Sequence, residues 1–457
     1  MIERLFIDVP GPEGARRVHL RCFGKGPPLL MIHQSPRSSI EYEALMARWG
    51  ADFTCIAPDT PGFGQSDALP GEPDIDDFGR ALLDFKRALG LDRCAAYGFH
   101  SGAIVLMAAI KQQPDAFTRA AMGGYAVWTP QEMAWFGERY LPPFEYQPYG
   151  EHLTWLWNRM LEQSWVFPWF DVRDEARLPG AHDDIARVDA AVMEMLDSGP
   201  AYRAGYGAVL RAERAIPDAG PPTLITAYDG DPLQSHIARL GSLPAGWEAR
   251  AVSTAQEHQD ASREWLMRGA AGDSPDFAQS PDEGFASIAG RRVHWIGTGS
   301  TLHLHAPGSE ARAVPGRIAI DLPGHGLSDD ARPDEDWHAT IAACERHFGT
   351  VNTVADGATA ALLGQAPPPC AEAVERLIPD LTPDRFGSHL QRAWSAARAA
   401  RLFDPWYLAS NATRRHFDPS EVAPAAIHRD ARALLRARAA RLLLAATATG
   451  GTIDGNS

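Results

Sequence analysis

The sequence predicts an α/β fold, in which helices cover both faces of a mainly parallel sheet. The first observation is that short apolar strands alternate with helices, as in "CAAYGFH" (94–100) followed directly by the helical "SGAIVLMAAIKQQ" (101–113). The second is that the pattern restarts after the polar stretch 271–284, whose composition is that of a linker. A chain of 457 residues is long enough for two or more domains.

Each further element of the first half follows from its own apolar run. A helix is expected over "DIDDFGRALLDFKRALG" (74–90), and residues 1–20 contain the earliest strands. An aromatic-rich stretch from about 128 to 218 is too long for a loop, and we expect a helical cap over the strand ends. The remaining strands are expected at 18–24, 27–33, 52–59, 119–127, 221–229 and 247–254.

The second half repeats motifs of the first half. "APDTPGFGQSD" (57–67) returns as "AIDLPGHGLSD" (319–329), and the first cap aligns without gaps on a later stretch. Self-similarity of this kind is typical of duplication. In the gapless register Gly150, His152, Trp157, Pro168 and Trp169 fall on Gly387, His389, Trp394, Pro405 and Trp406.

The repeat predicts three regions. These are a catalytic domain over 1–270 with the cap at about 128–218, the linker, and a degenerate repeat over 285–449 with its own cap at about 377–440. In the second copy Gly357 falls opposite His100, and no later histidine is available. We therefore assign chemistry to the first copy and support, packing or pocket closure to the second.

Composition excludes several classes of function. A formal net charge of -15 repels nucleic acid, and no apolar run approaches membrane-spanning length. The N-terminus lacks the basic and apolar regions of a signal peptide. Five scattered cysteines without a CxxC pair fit reduced thiols. We expect a cytoplasmic protein with a small-molecule substrate, no membrane or nucleic-acid partner, no metal and no cofactor.

Five features in chain order resemble the α/β-hydrolase superfamily over nearly all of residues 1–270, and more weakly over 285–449. They are "IHQSP" (32–36), "DTPGFGQSD" (59–67), "GFHSG" (98–102), "DGDPL" (229–233) and "QEHQD" (256–260). The resemblance implies an α/β-hydrolase fold and a nucleophile, an acid and a histidine in that order along the chain.

The turn "GFHSG" has a histidine where the family commonly has serine. The family's nucleophile elbow needs small residues two before and two after its tip. Gly98 and Gly102 meet this rule if His100 is at the tip, whereas Ser101 would place Phe99 in a crowded position. We favour His100, and the alternative is a serine esterase that uses Ser101 through a distorted turn.

The resemblance also implies partners for the elbow. Asp231 is at the position of the acid, with Asp229 as a competitor, and His258 follows 27 residues after Asp231. We expect one nitrogen of His258 to meet Asp231 and the other to face His100. By position, the oxyanion hole consists of the backbone N–H groups of Gln34 and Ser101.

Other candidate residues are open to two interpretations. Arg37 could hold a substrate carboxylate or pair with a protein acid, and His33 fits a structural hydrogen-bonding role. Cap aromatic residues pack inward by default, and two that the second cap keeps, Trp157 and Trp169, fit that role. The aromatic candidates for substrate contact include Trp128, Trp135, Tyr140 and Trp165.

These residues predict a cofactor-independent hydrolase or lyase of a hydrophobic carbonyl or ester compound, with aromatic compounds among the candidates. His100 would act either as a covalent nucleophile or as an acid and base with His258. A binding protein that has lost its nucleophile is the alternative from a different class. The second repeat is expected to pack on the first within the chain, and we also consider a homo-oligomer.

Overall fold

The computed structural model describes residues 1–12 and 14–448. It divides the chain into two compact units, the first containing Met1–Glu145 and Trp157–Ser280. The second contains Tyr146–Leu156 and the residues from Pro281 onward. The predicted linker 271–284 includes the change of unit, but the sequence did not indicate that residues 146–156 group with the second unit. The predicted end of the second repeat, residue 449, lies outside the described residues.

The first unit contains an eight-stranded sheet with the order β1-β2-β4-β3-β5-β6-β7-β8. β2 is antiparallel to its neighbours β1 and β4, and the remaining neighbours are parallel. The predicted fold class, an α/β-hydrolase fold, is thereby confirmed. The strands are β1 Glu3–Val9, β2 Arg16–Phe23, β3 Pro28–Ile32, β4 Thr54–Pro58, β5 Cys94–Phe99, β6 Phe117–Gly123, β7 Thr223–Tyr228 and β8 Glu248–Val252.

Burial explains the centre of this sheet. Every residue of β3 and β4 is buried, as expected for central parallel strands covered on both faces. The helix that follows β5 is buried from Ser101 to Ile110, so it belongs to the core rather than to the surface. The helices packed around the sheet are α1 Glu43–Trp49, α2 Ile75–Ala88, α3 Ser101–Gln112 and α8 Ala255–Met267.

The predicted cap lies between β6 and β7 in the chain and is helical. Its helices are α4 Pro130–Tyr140, α5 Glu151–Glu162, α6 Ile185–Ser198 and α7 Tyr202–Arg211. Residues Glu151–Leu156 of α5 belong to the second unit, and the rest of α5 belongs to the first. Within 1–12 and 14–448, every helix is too short or too polar to cross a bilayer.

The second unit contains a five-stranded sheet with the order β13-β11-β12-β10-β9. Read from β9, this order and its strand directions equal those of β1 to β5. A common origin by duplication stays a prediction. The strands are β9 Glu283–Ile288, β10 Arg291–Ile296, β11 Thr301–Leu304, β12 Arg317–Ile320 and β13 Asn352–Ala355, and the helices are α9 Trp337–Phe348, α10 Ala371–Arg376, α11 Ser388–Leu402, α12 Pro424–Arg436 and α13 Ala440–Ala448.

The outer edge of β13 is covered by one side chain. Gln365 Oε1 accepts a hydrogen bond from the N–H of Ala355 at 3.2 Å, and Gln365 Nε2 donates to the carbonyl of Thr353 at 2.7 Å. A neighbouring strand would bond to the same two backbone groups. The amide of Gln365 therefore replaces part of a sixth strand.

The segment 146–156 has its contacts within the second unit on α11 and α12. Gln391 Nε2 donates to the carbonyl of Tyr149 at 2.7 Å, and Trp394 Nε1 donates to that of Pro148 at 3.3 Å. Tyr146 stacks on His428 with ring centroids 4.0 Å apart. These contacts join parts of the two aligned caps in one compact unit.

Candidate active site

The turn between β5 and α3 places His100 at its tip. His100 has φ 48° and ψ -114°, a strained conformation for a residue with a side chain. A Cβ on Gly98 would lie 2.7 Å from the carbonyl oxygen of Gly102, and one on Gly102 would lie 2.0 Å from that of Ile32. Only glycine fits at these two positions, which fixes the register of the elbow on His100.

His100 pairs with Asp231. Its Nε2 lies 3.1 Å and 3.2 Å from the two carboxylate oxygens, and the Asp231 side chain is fully buried while that of His100 is 23% exposed. Burial works to raise the pKa of Asp231, but the charge and hydrogen bond of His100 and the N–H of Leu233 hold that pKa below its ordinary value. Asp231 is therefore ionised at neutral pH, and it can only accept the proton of His100 Nε2.

The competing acid Asp229 has different surroundings. It is exposed, and its carboxylate accepts a hydrogen bond from Gln234 Nε2. Asp231 is thus the acid that the fold brings to the elbow.

His258 does not meet Asp231, so the expected His258–Asp231 pair is wrong. His258 Nε2 lies 2.8 Å from Tyr97 Oη, and His258 Nδ1 lies 2.6 Å from Thr226 Oγ1. Both ring nitrogens are occupied by neutral hydroxyl groups, and the residue is only 2% exposed. Burial lowers the pKa of His258 to about 4. The ring stays neutral at physiological pH.

The location of His258 explains this arrangement. It lies in the second turn of α8, four residues after the N-cap Thr254, and not in the loop before the helix. The ring of Phe99 stacks on His100 with centroids 4.1 Å apart and lies 5.7 Å from His258. The order of the two histidines along the chain is evident from the sequence, but the helix boundary that buries His258 is not.

Ser101 is the first residue of α3 and is buried. Its Oγ accepts a hydrogen bond from the N–H of Ser35 at 2.5 Å. A hydroxyl held in this way is not presented at the tip of the elbow. The geometry argues against Ser101 as the nucleophile.

The loop after β3 contains the other predicted polar residues. Arg37 Nε donates to Glu194 Oε1 at 2.6 Å, so the protein-acid interpretation of Arg37 describes its contact. His33 is buried, donates from Nδ1 to the carbonyl of Gln34 at 3.0 Å and accepts at Nε2 from the N–H of Thr60. These bonds fit the structural role expected for His33.

Two cavities in the first unit adjoin this loop. The larger, which we call the cap cavity, has a volume of about 610 Å³ and includes Gln34, Arg37, Gln163, His182, Arg187 and Tyr228 in its lining. The smaller has a volume of about 390 Å³ and is lined by Gln34, Arg37, Glu41, Tyr97, Tyr228 and His258. Both fall within the size range of small-molecule sites.

The four aromatic candidates of the cap have contacts inside the cap. Trp128 packs edge-on against Phe136, and Tyr140 Oη hydrogen bonds to Tyr206 Oη at 2.8 Å. Trp165 Nε1 donates to the carbonyl of His182, and Trp135 is 40% exposed. Among the described residues that line the two cavities, none of these four is present. Their role in substrate binding stays a prediction.

The described part of the chain holds no group of three or more His, Cys, Asp or Glu side chains arranged for a metal ion. All five cysteines are free.

Comparison with known proteins agrees with the fold. A family model described as the alpha/beta hydrolase fold matches residues 27–138. Haloalkane dehalogenase 2 of Mycobacterium tuberculosis is 32% identical over 119 residues, which cover 26% of this chain and 42% of the dehalogenase. An uncharacterised protein of the same organism is 31% identical over 107 residues, covering 23% of this chain and 31% of that protein. Residues 27–138 are therefore similar to the alpha/beta hydrolase fold family.

Solved structures are similar at lower identity. A thermophilic esterase from Thermogutta terrifontis with malate bound is 17% identical, with a TM-score of 0.45 over 59% of this chain and 100% of the esterase. A hydrolase from Pseudomonas aeruginosa PA01 is 16% identical, with a TM-score of 0.45 over 58% and 98% of the two chains. The chain spans about two fifths of the length of the curated dehalogenase, as given by the 42% coverage. Similarity at these levels identifies no activity.

Proposed function

We propose that the first unit is a cofactor-independent hydrolase of esters or related carbonyl compounds, with His100 and Asp231 as its general base pair. The observation that carries this proposal is the contact of 3.1 Å between His100 Nε2 and Asp231 at the tip of a strained elbow. A histidine oriented by a buried carboxylate is the base of serine hydrolases. Here the base itself occupies the position of the nucleophile.

The protonation states follow from the pair. Because the ionised Asp231 accepts the proton on Nε2, Nδ1 of a neutral His100 carries the lone pair. Nδ1 takes one proton from a water molecule while the water oxygen attacks the carbonyl carbon. The imidazolium then returns this proton to the leaving alcohol, so that acid and alcohol are the products.

The N-terminus of α3 supports stabilisation of the resulting oxyanion. The N–H of Ser101 is the first of the helix, where such groups have no partner within the helix and the helix dipole is positive. On the opposing loop, the N–H of Ser35 is already bonded to Ser101 Oγ. We keep the N–H of Gln34 as the proposed second donor, and this N–H also faces the carboxyl of Glu41.

The first experiment measures hydrolysis of aryl esters by purified wild type, His100→Ala and Asp231→Asn. We expect each substitution to reduce turnover by about 10²-fold or more, the usual effect of losing a general base. His303→Ala is the matched control, since His303 forms a comparable histidine–aspartate pair with Asp356 at 3.0 Å in the second unit. It should retain wild-type turnover.

The serine alternative is tested with Ser101→Ala. We expect this variant to retain most turnover, because the proposed mechanism needs only the backbone of Ser101. Loss of activity in Ser101→Ala together with full activity in His100→Ala would identify a serine esterase. Acid quenching followed by mass spectrometry of the His100 peptide separates covalent attack, which leaves an acyl group on the ring, from base catalysis.

Halide displacement from haloalkanes is not part of the proposal. A carboxylate at the elbow tip forms an alkyl ester that water can cleave, whereas an alkylated imidazole has no such route back. We expect no repeated release of halide. Incubation with a bromoalkane and measurement of bromide over many enzyme equivalents tests this expectation.

A small-molecule binding protein is the second candidate. The observation that favours it is the burial of His258 between Tyr97 and Thr226, which removes the family's usual base from the elbow. Absence of His100-dependent turnover with esters, β-diketones and β-hydroxy carbonyl compounds, together with ligand-induced thermal stabilisation, would support it. Turnover of the last two groups in place of esters would instead identify carbon–carbon cleavage or lyase chemistry.

We also propose a cytoplasmic location. Its support is the set of five free cysteines, four of them buried.

A further inference from the structure

The cap cavity contains two positively charged side chains in a chain whose formal net charge is -15. Two arginines, Arg37 and Arg187, are in its lining, and Asp229 is its only carboxylate among the described lining residues. The cavity begins at the segment 228–230, directly before Asp231. A ligand in the cap cavity would therefore lie beside the loop that carries Asp231.

Arg37 is held so that one edge of its guanidinium faces away from its partner. Its Nε donates to Glu194 Oε1 at 2.6 Å, and Glu194 Oε2 accepts from the N–H and the hydroxyl of Ser38 at 2.6 Å and 2.7 Å. Nη1 and Nη2 have no hydrogen-bond partner in the described part of the chain. Two parallel N–H donors in one plane match the two oxygens of a carboxylate.

Other polar groups around the cap cavity also lack partners among residues 1–12 and 14–448. Gln163 Oε1 and His182 Nδ1 are buried atoms without a hydrogen bond. The Arg187 side chain has neither an ion pair nor a hydrogen bond to described residues. Buried polar atoms usually have partners, so such a group of exceptions in one cavity points to a polar ligand.

We propose that the cap cavity binds a carboxylate group of the substrate on the Nη1 and Nη2 edge of Arg37, with Arg187 and His182 beside it. This assignment rests on the proposed function and narrows its substrate class to carbonyl compounds that carry a second, ionised carboxyl group.

The carboxyl of Glu41 does not add a second negative charge beside Arg37. Glu41 lies near Arg37 on the smaller cavity, and burial raises the pKa of Glu41 to about 8, although Arg37 and the N–H groups of Gln34 work to lower it. At neutral pH Glu41 is therefore mainly uncharged. Arg37 and Glu194 neutralise one another, so Arg187 is the remaining positive charge that a single negative charge on the ligand would balance, which favours a carboxylate over a doubly charged phosphate.

The experiment compares two esters that differ only at the far end of the acyl chain. The 4-nitrophenyl monoester of glutarate ends in a carboxylate, and 4-nitrophenyl valerate ends in a methyl group. We expect the wild type to have the higher kcat/KM on the glutarate ester. Arg37→Met should reduce this preference by about 10- to 100-fold, the range for a hydrogen bond to a charged group. Most of the loss should be in KM.

Controls separate charge, geometry and folding. Arg80→Met removes a surface ion pair of 2.8 Å with Asp77 and should keep the wild-type preference. Arg37→Lys retains the charge without the planar fork and should give an intermediate preference. Equal preference in wild type and Arg37→Met, with both variants folded by circular dichroism, would overturn the proposal.

Calorimetry with glutarate keeps the test independent of turnover. We expect binding to the wild type and its loss in Arg37→Met, even in the His100→Ala background. Binding with no ester hydrolysis would contradict the proposed function but not the carboxylate site. Tighter, Arg37-dependent binding of glycerol phosphate would overturn the assignment to a carboxylate.

Discussion

The first and second sheets contain the same buried histidine–aspartate pair at equivalent positions. His19 Nδ1 lies 2.8 Å from Asp59 Oδ2, and His294 Nδ1 lies 2.7 Å from Asp321 Oδ2. In both sheets the aspartate also accepts two backbone N–H groups. The pair therefore organises the loop after the fourth strand in the same way in each sheet.

The two histidines differ in the charge that meets the second ring nitrogen. Arg4 on β1 donates to His19 Nε2 at 3.2 Å, whereas Glu283 on β9 lies 3.0 Å from His294 Nε2. Burial lowers the pKa of His19 to about 4. Burial also works to lower the pKa of His294, but Asp321 and Glu283 together raise it. The residue of the first strand thus acts in opposite directions, because Arg4 helps to lower the pKa of His19 and Glu283 helps to raise the pKa of His294.

The elbow turns of the two sheets differ in the residue at the tip, which is His100 in the first sheet and Gly357 in the second. His100 and Gly357 both have positive φ, at 48° and 55°. Glycine adopts such angles without strain, while a histidine does so at a cost. The second sheet has glycine at this turn and therefore no backbone strain. In the first sheet the strain arises because a residue with a side chain, His100, occupies the turn.

The largest effect on stability is expected from His294→Gln. Removing the ring takes away the imidazole that Asp321 and Glu283 share, and breaking a buried ion pair in this way costs about 3–5 kcal/mol. His19→Gln removes a neutral ring and should cost about 1–3 kcal/mol. Hydrogen exchange measured on the peptides of β2 and β10 reports on each sheet separately. Equal losses of protection would contradict the difference in charge.

Opposite pH dependence of the two sheets is the next expectation. His294 has a raised pKa in the fold, so its stabilisation is complete below the unfolded value of about 6.5 and is lost as pH rises through the folded pKa. His19 has a folded pKa of about 4, so its contribution is present above about 6.5 and is lost as pH falls toward 4. We compare hydrogen-exchange rates, corrected for intrinsic pH effects, at pH 5 and 7.5 and expect them to shift in opposite directions in β2 and β10. His19→Gln should abolish the shift in β2, and His294→Gln should abolish the shift in β10.

A smaller effect tests the strain at the elbow. His100→Ala and His100→Gly both remove the imidazole, but only glycine relieves the positive φ. We expect the glycine variant to be more stable by about 1–2 kcal/mol in urea unfolding. Gly357→Ala should lose at least a similar amount, since its Cβ would also lie 2.9 Å from Ala306 Cβ. Equal stability of the two His100 variants would show that the turn is unstrained.

The smallest effect concerns the sheet edges. β5 is paired with β6 along its outer side, while β13 has the amide of Gln365 there. Gln365→Ala exposes two backbone groups to water and should cost about 0.5–1.5 kcal/mol, the net contribution of a hydrogen bond. Faster exchange of the Ala355 amide, without change in β5, is the measurement that checks it.

The fold of the first unit could be predicted from the sequence because the patterns that indicate it lie in short, continuous stretches of the chain. Continuous apolar runs gave the buried strands, and the glycines at 98 and 102 gave the position of His100. The pairing of Asp231 was missed because it depends on which helical turn carries His258, a boundary that apolar periodicity does not resolve. Thr226 and Tyr97, which bind His258, lie on strands where such residues pass for ordinary core positions.

The cap shows a different limit. Four of its aromatic residues are predicted candidates for substrate contact, and two of them, Tyr140 and Trp128, have packing contacts within the cap. Glu194, which orients Arg37, is separated from it by 157 residues and has no local signal. Contacts of this kind need the tertiary structure.

The membership of residues 146–156 in the second unit has a consequence for synthesis. The hydrogen bond between Tyr149 and Gln391 spans 242 residues of chain. At about 5–20 residues per second, the start of α5 leaves the ribosome roughly 10 to 50 s before its partners exist. The first cap therefore lacks these contacts until most of the chain has been translated. A gene truncated after codon 270 would produce a first cap that never forms them.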